Sequence, residues 1–148
     1  MLSRLFKSRA RFDDSEPQIR RASVLAIADE EAASFQDDFA ELVRSDADPG
    51  VRRAALSKIL DGKRLEPFLA DPDPEIIRAA AEAIARDVDA GALRRHPEVR
   101  SAAIRNARDP DSVAALIGDV EYDHELIRLA VDSRNPKVRV SVADKLMK

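Results

Sequence analysis

A chain of 148 residues without a single cysteine has room for one core of moderate size, and it excludes disulfides, thiol nucleophiles and cysteine-based zinc sites. Hydrophobic residues make up 45% of it but include no Trp, one Tyr and five Phe, so alanine and aliphatic side chains must build that core. The formal net charge of −3 is unevenly laid out: residues 1–12 and 134–148 are basic, and the body between them holds the acidic excess, which disfavours general binding to phosphate backbones.

Taken in chain order, residues 1–13 read as a basic amphipathic segment. Leu2, Leu5 and Phe6, with Phe12, share one helical face beside Arg4, Lys7, Arg9 and Arg11. Such a segment covers the open end of a helical stack, or it docks on a partner or an anionic surface through Arg4, Lys7, Arg9 and Arg11. Residues 14–148 then repeat one pattern. Glu-Pro-Gln-Ile19-Arg20 leads through Ala22, Ser23 and Val24 to Ile27. Asp48-Pro-Gly-Val51-Arg52 leads through Ala54, Ala55 and Leu56 to Ile59, and Asp73-Pro-Glu-Ile76 leads through Ala79, Ala80 and Ala81 to Ile84. His96-Pro-Glu-Val99-Arg100 continues through Ala102, Ala103 and Ile104 to Ala107. A copy without proline surrounds Leu126, and Asn135-Pro-Lys-Val138-Arg139 runs through Ser141 and Val142 to Leu146.

Each copy predicts a helix with its start marked. Asp48, Asp73 and Asn135 suit the N-cap, and the following proline suits the first helical position, where no N–H is needed. The aliphatic marker, the small pair after it and the aliphatic residue eight later lie on one stripe. Shorter periodic stretches at Phe35–Val43, Leu65–Ala70 and Val113–Ile117 predict a second helix between copies. Markers at 19, 51, 76, 99 and 126 stand 23 to 32 residues apart, the spacing of a helix pair that buries its stripes only by stacking on neighbours. Leu126 and Val138 are only 12 residues apart, which makes the helix near 126 the short partner of the last unit.

These residues resemble the HEAT repeat over roughly residues 14 to 148. The family's loop carries an Asp six residues before an Arg, matched here by Asp14 and Arg20 and by Asp46 and Arg52, while Arg100 and Arg139 keep only the base and Asp71 only the acid. The short units look most like bilin-lyase-type repeats and the opening repeats of some uncharacterised bacterial proteins. The resemblance implies an all-α fold: a superhelical α-solenoid of about five stacked helix pairs in one domain. A glycosylase acting on alkylated DNA also uses HEAT-like repeats, but it needs aromatic platforms and a cationic groove.

Chemistry is sparse. The loop pairs Asp46 and Asp48, Asp71 and Asp73, Asp87 and Asp89, and Asp109 and Asp111 suggest calcium or acid–base dyads, but each also reads as a cap plus a turn-closing residue. Asp87–Gly91 is no EF-hand, since its glycine comes one place early and Arg94 and Arg95 intrude. His96 and His124 stand 28 residues apart at helix starts, without the neighbours of a metal site. No Ser–His–Asp arrangement or glycine-rich phosphate loop is present, so neither catalysis nor a cofactor is expected. Arg20, Arg52, Arg100 and Arg139 would line one edge of the stack, either as a phosphate track or as partners of loop carboxylates.

The expectation is a non-enzymatic, cytoplasmic scaffold or adaptor that binds a protein with some basic character. The alternative is a nucleic-acid-associated protein acting through its basic termini. A chromophore-lyase-like accessory role follows only from the resemblance. No segment has the roughly 18 consecutive apolar residues of a membrane span.

Overall fold

The computed structural model describes residues 11–87, 91–107, 110–118, 120–121, 123–133 and 135–148. The fold is all-α, with no strand among the described residues, and no described helix is long and apolar enough to cross a membrane. The chain divides into two compact units, residues 1–89 and 90–148.

In the first unit, α1 (Pro17–Leu25), α4 (Pro49–Ser57) and α6 (Pro74–Arg86) are the proline-started helices. Between them lie α2 (Asp29–Ala32), a 3₁₀ turn at Ala33–Phe35, α3 (Gln36–Ser45), α5 (Gly62–Leu65) and a 3₁₀ turn at Glu66–Ala70. Helix α4 packs against α1, α3 and α6, so it has neighbours on several sides. Its buried arc is correspondingly wide: Val51, Ala54, Ala55 and Leu56 are all enclosed. The alanine pair allows the close approach that larger side chains would prevent.

The second unit contains a 3₁₀ turn at Gly91–Arg95, then α7 (Pro97–Asn106), α8 (Pro110–Gly118), α9 (Asp123–Asp132) and α10 (Pro136–Leu146). Helix α7 packs on α8, and α10 packs on both α8 and α9. Ile104, Ile117, Val120, Leu126, Leu129, Val138 and Val142 form its core.

The starts of α4, α6 and α10 follow one local rule, whereas the N-cap residues of α1, α2 and α3 make no side-chain cap bond. The Asp48 carboxylate accepts from Val51 N–H at 2.9 Å, Asp73 from Glu75 N–H at 2.9 Å and Asn135 from Lys137 N–H at 3.0 Å. Two residues earlier, Asp46, Asp71 and Ser133 accept from the N–H of the cap residue itself at 2.8, 2.9 and 3.1 Å. Two orphan donors are thus satisfied at each of these starts. His96 plays the cap with its ring, Nδ1 accepting from Glu98 N–H at 3.2 Å.

Polar tethers join successive segments. The buried Gln36 amide donates to the carbonyls of Ala32 and Lys58 and accepts from Leu60 N–H, all within 2.9 Å. Lys58 donates to the Ile27 carbonyl at 2.8 Å, beyond the end of α1. Lys145 does the same for α8, reaching the carbonyls of Ile117, Gly118 and Val120 at 2.9, 2.7 and 2.5 Å. Both lysines stand seven residues after their marker, Val51 and Val138. An ammonium there neutralises carbonyls that a finished helix leaves unpaired.

Candidate functional site

The residue after each marker sets the geometry of the charged groups. Arg20 on α1 donates from Nε to Asp46 Oδ2 at 2.8 Å and from Nη2 to Asp46 Oδ1 at 2.9 Å, while Nη1 reaches the Asp14 carbonyl at 2.7 Å. Arg52 on α4 donates from Nε to the Val43 carbonyl at 2.6 Å and pairs through Nη2 with Asp71. Arg100 on α7 pairs with Glu125 at 3.3 Å and donates to the Arg95 carbonyl at 3.3 Å. Each guanidinium therefore fastens its own preceding segment by a carbonyl and a later segment by a carboxylate. The acid lies 26, 19 or 25 residues ahead, not six residues behind as the loop pattern suggests. Asp14 contributes to the Arg20 bond only its backbone oxygen.

These rungs are largely shielded, with the Arg20 and Asp46 side chains 14% and 5% exposed. Burial is the largest influence on the Asp46 carboxyl and pushes its pKa up. Hydrogen bonds from Arg20 and the Asp48 N–H, with the charges of Arg20 and Arg52, outweigh it and leave the group below its ordinary value. The hydrogen bond to Asp46 raises Arg20 in turn. On the more exposed side of the second unit, Arg128 grips both oxygens of Glu98 at 3.0 and 3.2 Å, which raises its own pKa.

Of the basic residues singled out in the N-terminal segment, Arg4, Lys7 and Arg9 lie outside the described residues. Arg11 is exposed, forms an ion pair with Asp14, and donates its backbone N–H to Ser23 Oγ at 3.2 Å. Phe12 lays its ring against Phe35 and Phe39, with centroids 5.8 and 6.0 Å away. The described end of the segment is thus held against the first unit by an ion pair, a hydrogen bond and an aromatic cluster.

The loop carboxylates Asp46, Asp48, Asp71 and Asp73 serve helix starts and rungs, and Asp87 accepts from Gly62 N–H at 3.1 Å. Asp89 and Asp109 lie outside the described residues. Among the described residues, no three of His, Asp and Glu converge as metal donors.

One concave feature was not apparent in the sequence. In the second unit, a cleft of about 430 Å³ opens beside Arg95, Arg100, Glu121, His124, Glu125 and Arg128. A cavity of about 490 Å³ shares Arg95, Arg100 and Glu121 with it and extends to Gly91, Arg94 and Leu116. Arg100 and Arg128 enter the cleft already paired with carboxylates, which holds their heads in place. Arg95 and Glu121 are exposed, and among the described residues neither side chain has an ion-pair partner. The cleft therefore offers a cation and an anion on a braced wall. Only the Arg94-Arg95 pair hinted at it in the sequence, because the carboxylates come from a segment some 26 residues on.

No family model matches the chain, and no curated protein or solved structure matches it.

Proposed function

We propose that the chain is a non-enzymatic helical-repeat scaffold of the α-solenoid kind, working in the cytoplasm by holding a protein partner. The observation that carries this reading is the use of the charged residues. The acids and arginines of the first unit's recurring loops cap helices and bind one segment to another, which is the duty of a framework. The mixed-charge cleft beside Arg95 and Glu121 supplies the recognition surface, where an extended segment of a partner can meet one donor and one acceptor. The acidic excess of the body adds attraction for a partner with basic character.

Affinity capture from host lysate, with and without nuclease, tests the proposal when run beside an Arg95→Glu/Glu121→Arg variant. A protein retained after nuclease treatment and lost on the variant is the expected result. Retention that vanishes with nuclease would move the function to nucleic acid and the basic termini. Retention indifferent to the variant would remove the cleft from the proposal.

A further inference from the structure

We infer that α10 presents a face that receives a second copy of this chain, forming a symmetric dimer. Helix α9, which packs on α10, leaves uncovered apolar positions of a kind that earlier helices enclose. The residue five places after the marker is enclosed in four copies: Val24, Leu56, Ala81 and Ile104 are 0, 3, 1 and 0% exposed. In α9 the same position is Val131, which is 77% exposed, and Ile127 beside the marker is 53% exposed.

Helix α10 has two apolar stripes on opposite sides. Val138 and Val142 are buried in the core of the unit. Pro136, Val140, Ala143 and Met147 form the other stripe, and all four are exposed, Val140 at 61% and Met147 at 87%. Their spacings of four, three and four residues are those of a helix–helix seam. A helix apolar on both sides is normally covered on both.

The charges beside the second stripe decide what covers it. Arg139 holds the position at which Arg20, Arg52 and Arg100 each grip a carboxylate, yet among the described residues it has no partner. Asp144 flanks the other side of the stripe, five residues on, and is likewise exposed and unpaired among the described residues. A cation and an anion on opposite shoulders of one seam, five residues apart, match when two such helices lie parallel. Each Arg139 then meets Asp144 of the second copy, twice by symmetry. The face is complementary to itself, so no foreign acid is required. With only 11 residues in α10 the contact is small, and a dissociation constant on the order of 100 µM is expected. This inference does not depend on what occupies the cleft.

Sedimentation equilibrium of the full chain from about 10 µM to about 1 mM, a range that brackets the expected dissociation constant, tests it. The wild type should dimerise with rising concentration. Val140→Asp and Met147→Asp, both at exposed sites, should leave the urea midpoint unchanged and the protein monomeric. Arg139→Asp and Asp144→Arg should each weaken self-association about tenfold, and an equimolar mixture of the two should recover wild-type association as a heterodimer. A wild type that stays monomeric throughout, a dimer indifferent to Val140→Asp, or a mixture that associates no better than its components would each overturn the inference.

Discussion

Arg20 holds Asp46 with two parallel hydrogen bonds, 2.8 and 2.9 Å long, across 26 residues of chain. The same carboxylate accepts the backbone N–H of Asp48 at 2.8 Å, so one side chain closes a turn and anchors a neighbouring helix. Its charged form is the one that the fold selects, since its pKa lies below the ordinary value of 3.8.

Acid should therefore weaken the first unit in a defined window. A carboxyl with a lowered folded pKa adds stability that is complete above the unfolded pKa, about 4, and is lost as pH falls through the folded one. Urea midpoints should change little through this group between neutral pH and about pH 5 and drop below about pH 4. Asp46→Asn should be less stable than wild type at neutral pH, and the gap should narrow on acidification. A gap that is constant with pH would show that Asp46 contributes nothing as an anion.

Lys145 makes the corresponding test in the second unit. Three carbonyls around the end of α8 share its ammonium, and Lys145→Met keeps the stem while removing all three bonds. The expected loss is about 2 kcal/mol of unfolding free energy, from charge-assisted bonds that water only partly replaces. Chemical denaturation followed by circular dichroism measures it.

Phe12 reports on the N-terminal segment. Its ring completes a cluster with Phe35 and Phe39, both buried, whose own centroids are 6.1 Å apart. Phe12→Ala should cost about 1–2 kcal/mol by uncovering those rings. Faster amide exchange at Phe35 and Phe39 than at Val51 would place the loss there, and unchanged exchange would contradict a capping role.

The helix starts were legible in the sequence because proline and an N-cap acid act locally. Pro17, Pro49, Pro74, Pro97 and Pro136 all open helices, whereas the helix expected over Val113–Ile117 begins earlier, at Pro110. The aliphatic marker also announced burial: Val51, Ile76, Val99, Leu126 and Val138 are enclosed, while Ile19 in the first copy is only half-buried. Partners across the fold were less legible. The Asp–Arg spacing of six suggested a pair within one loop, whereas side-chain reach carries Arg20 and Arg52 forward to the next loop. Arg100 finds Glu125 inside the first turn of a helix, where no loop pattern points. Nothing in the sequence distinguishes Lys58 and Lys145 from other lysines, and only the packing shows the carbonyls beneath them. Helix α2, four residues long, and the 3₁₀ turn at Gly91–Arg95 are too short to give a periodic signal.

An arginine after the marker should be coupled energetically to an acid in a later segment. A double-mutant cycle on Arg52 and Asp71, whose side chains are 14% and 8% exposed, tests it most directly. Arg52→Met and Asp71→Asn should each cost about 2–3 kcal/mol, and together they should cost clearly less than their sum, with a coupling of at least about 1 kcal/mol. Strict additivity of the two substitutions would contradict the account.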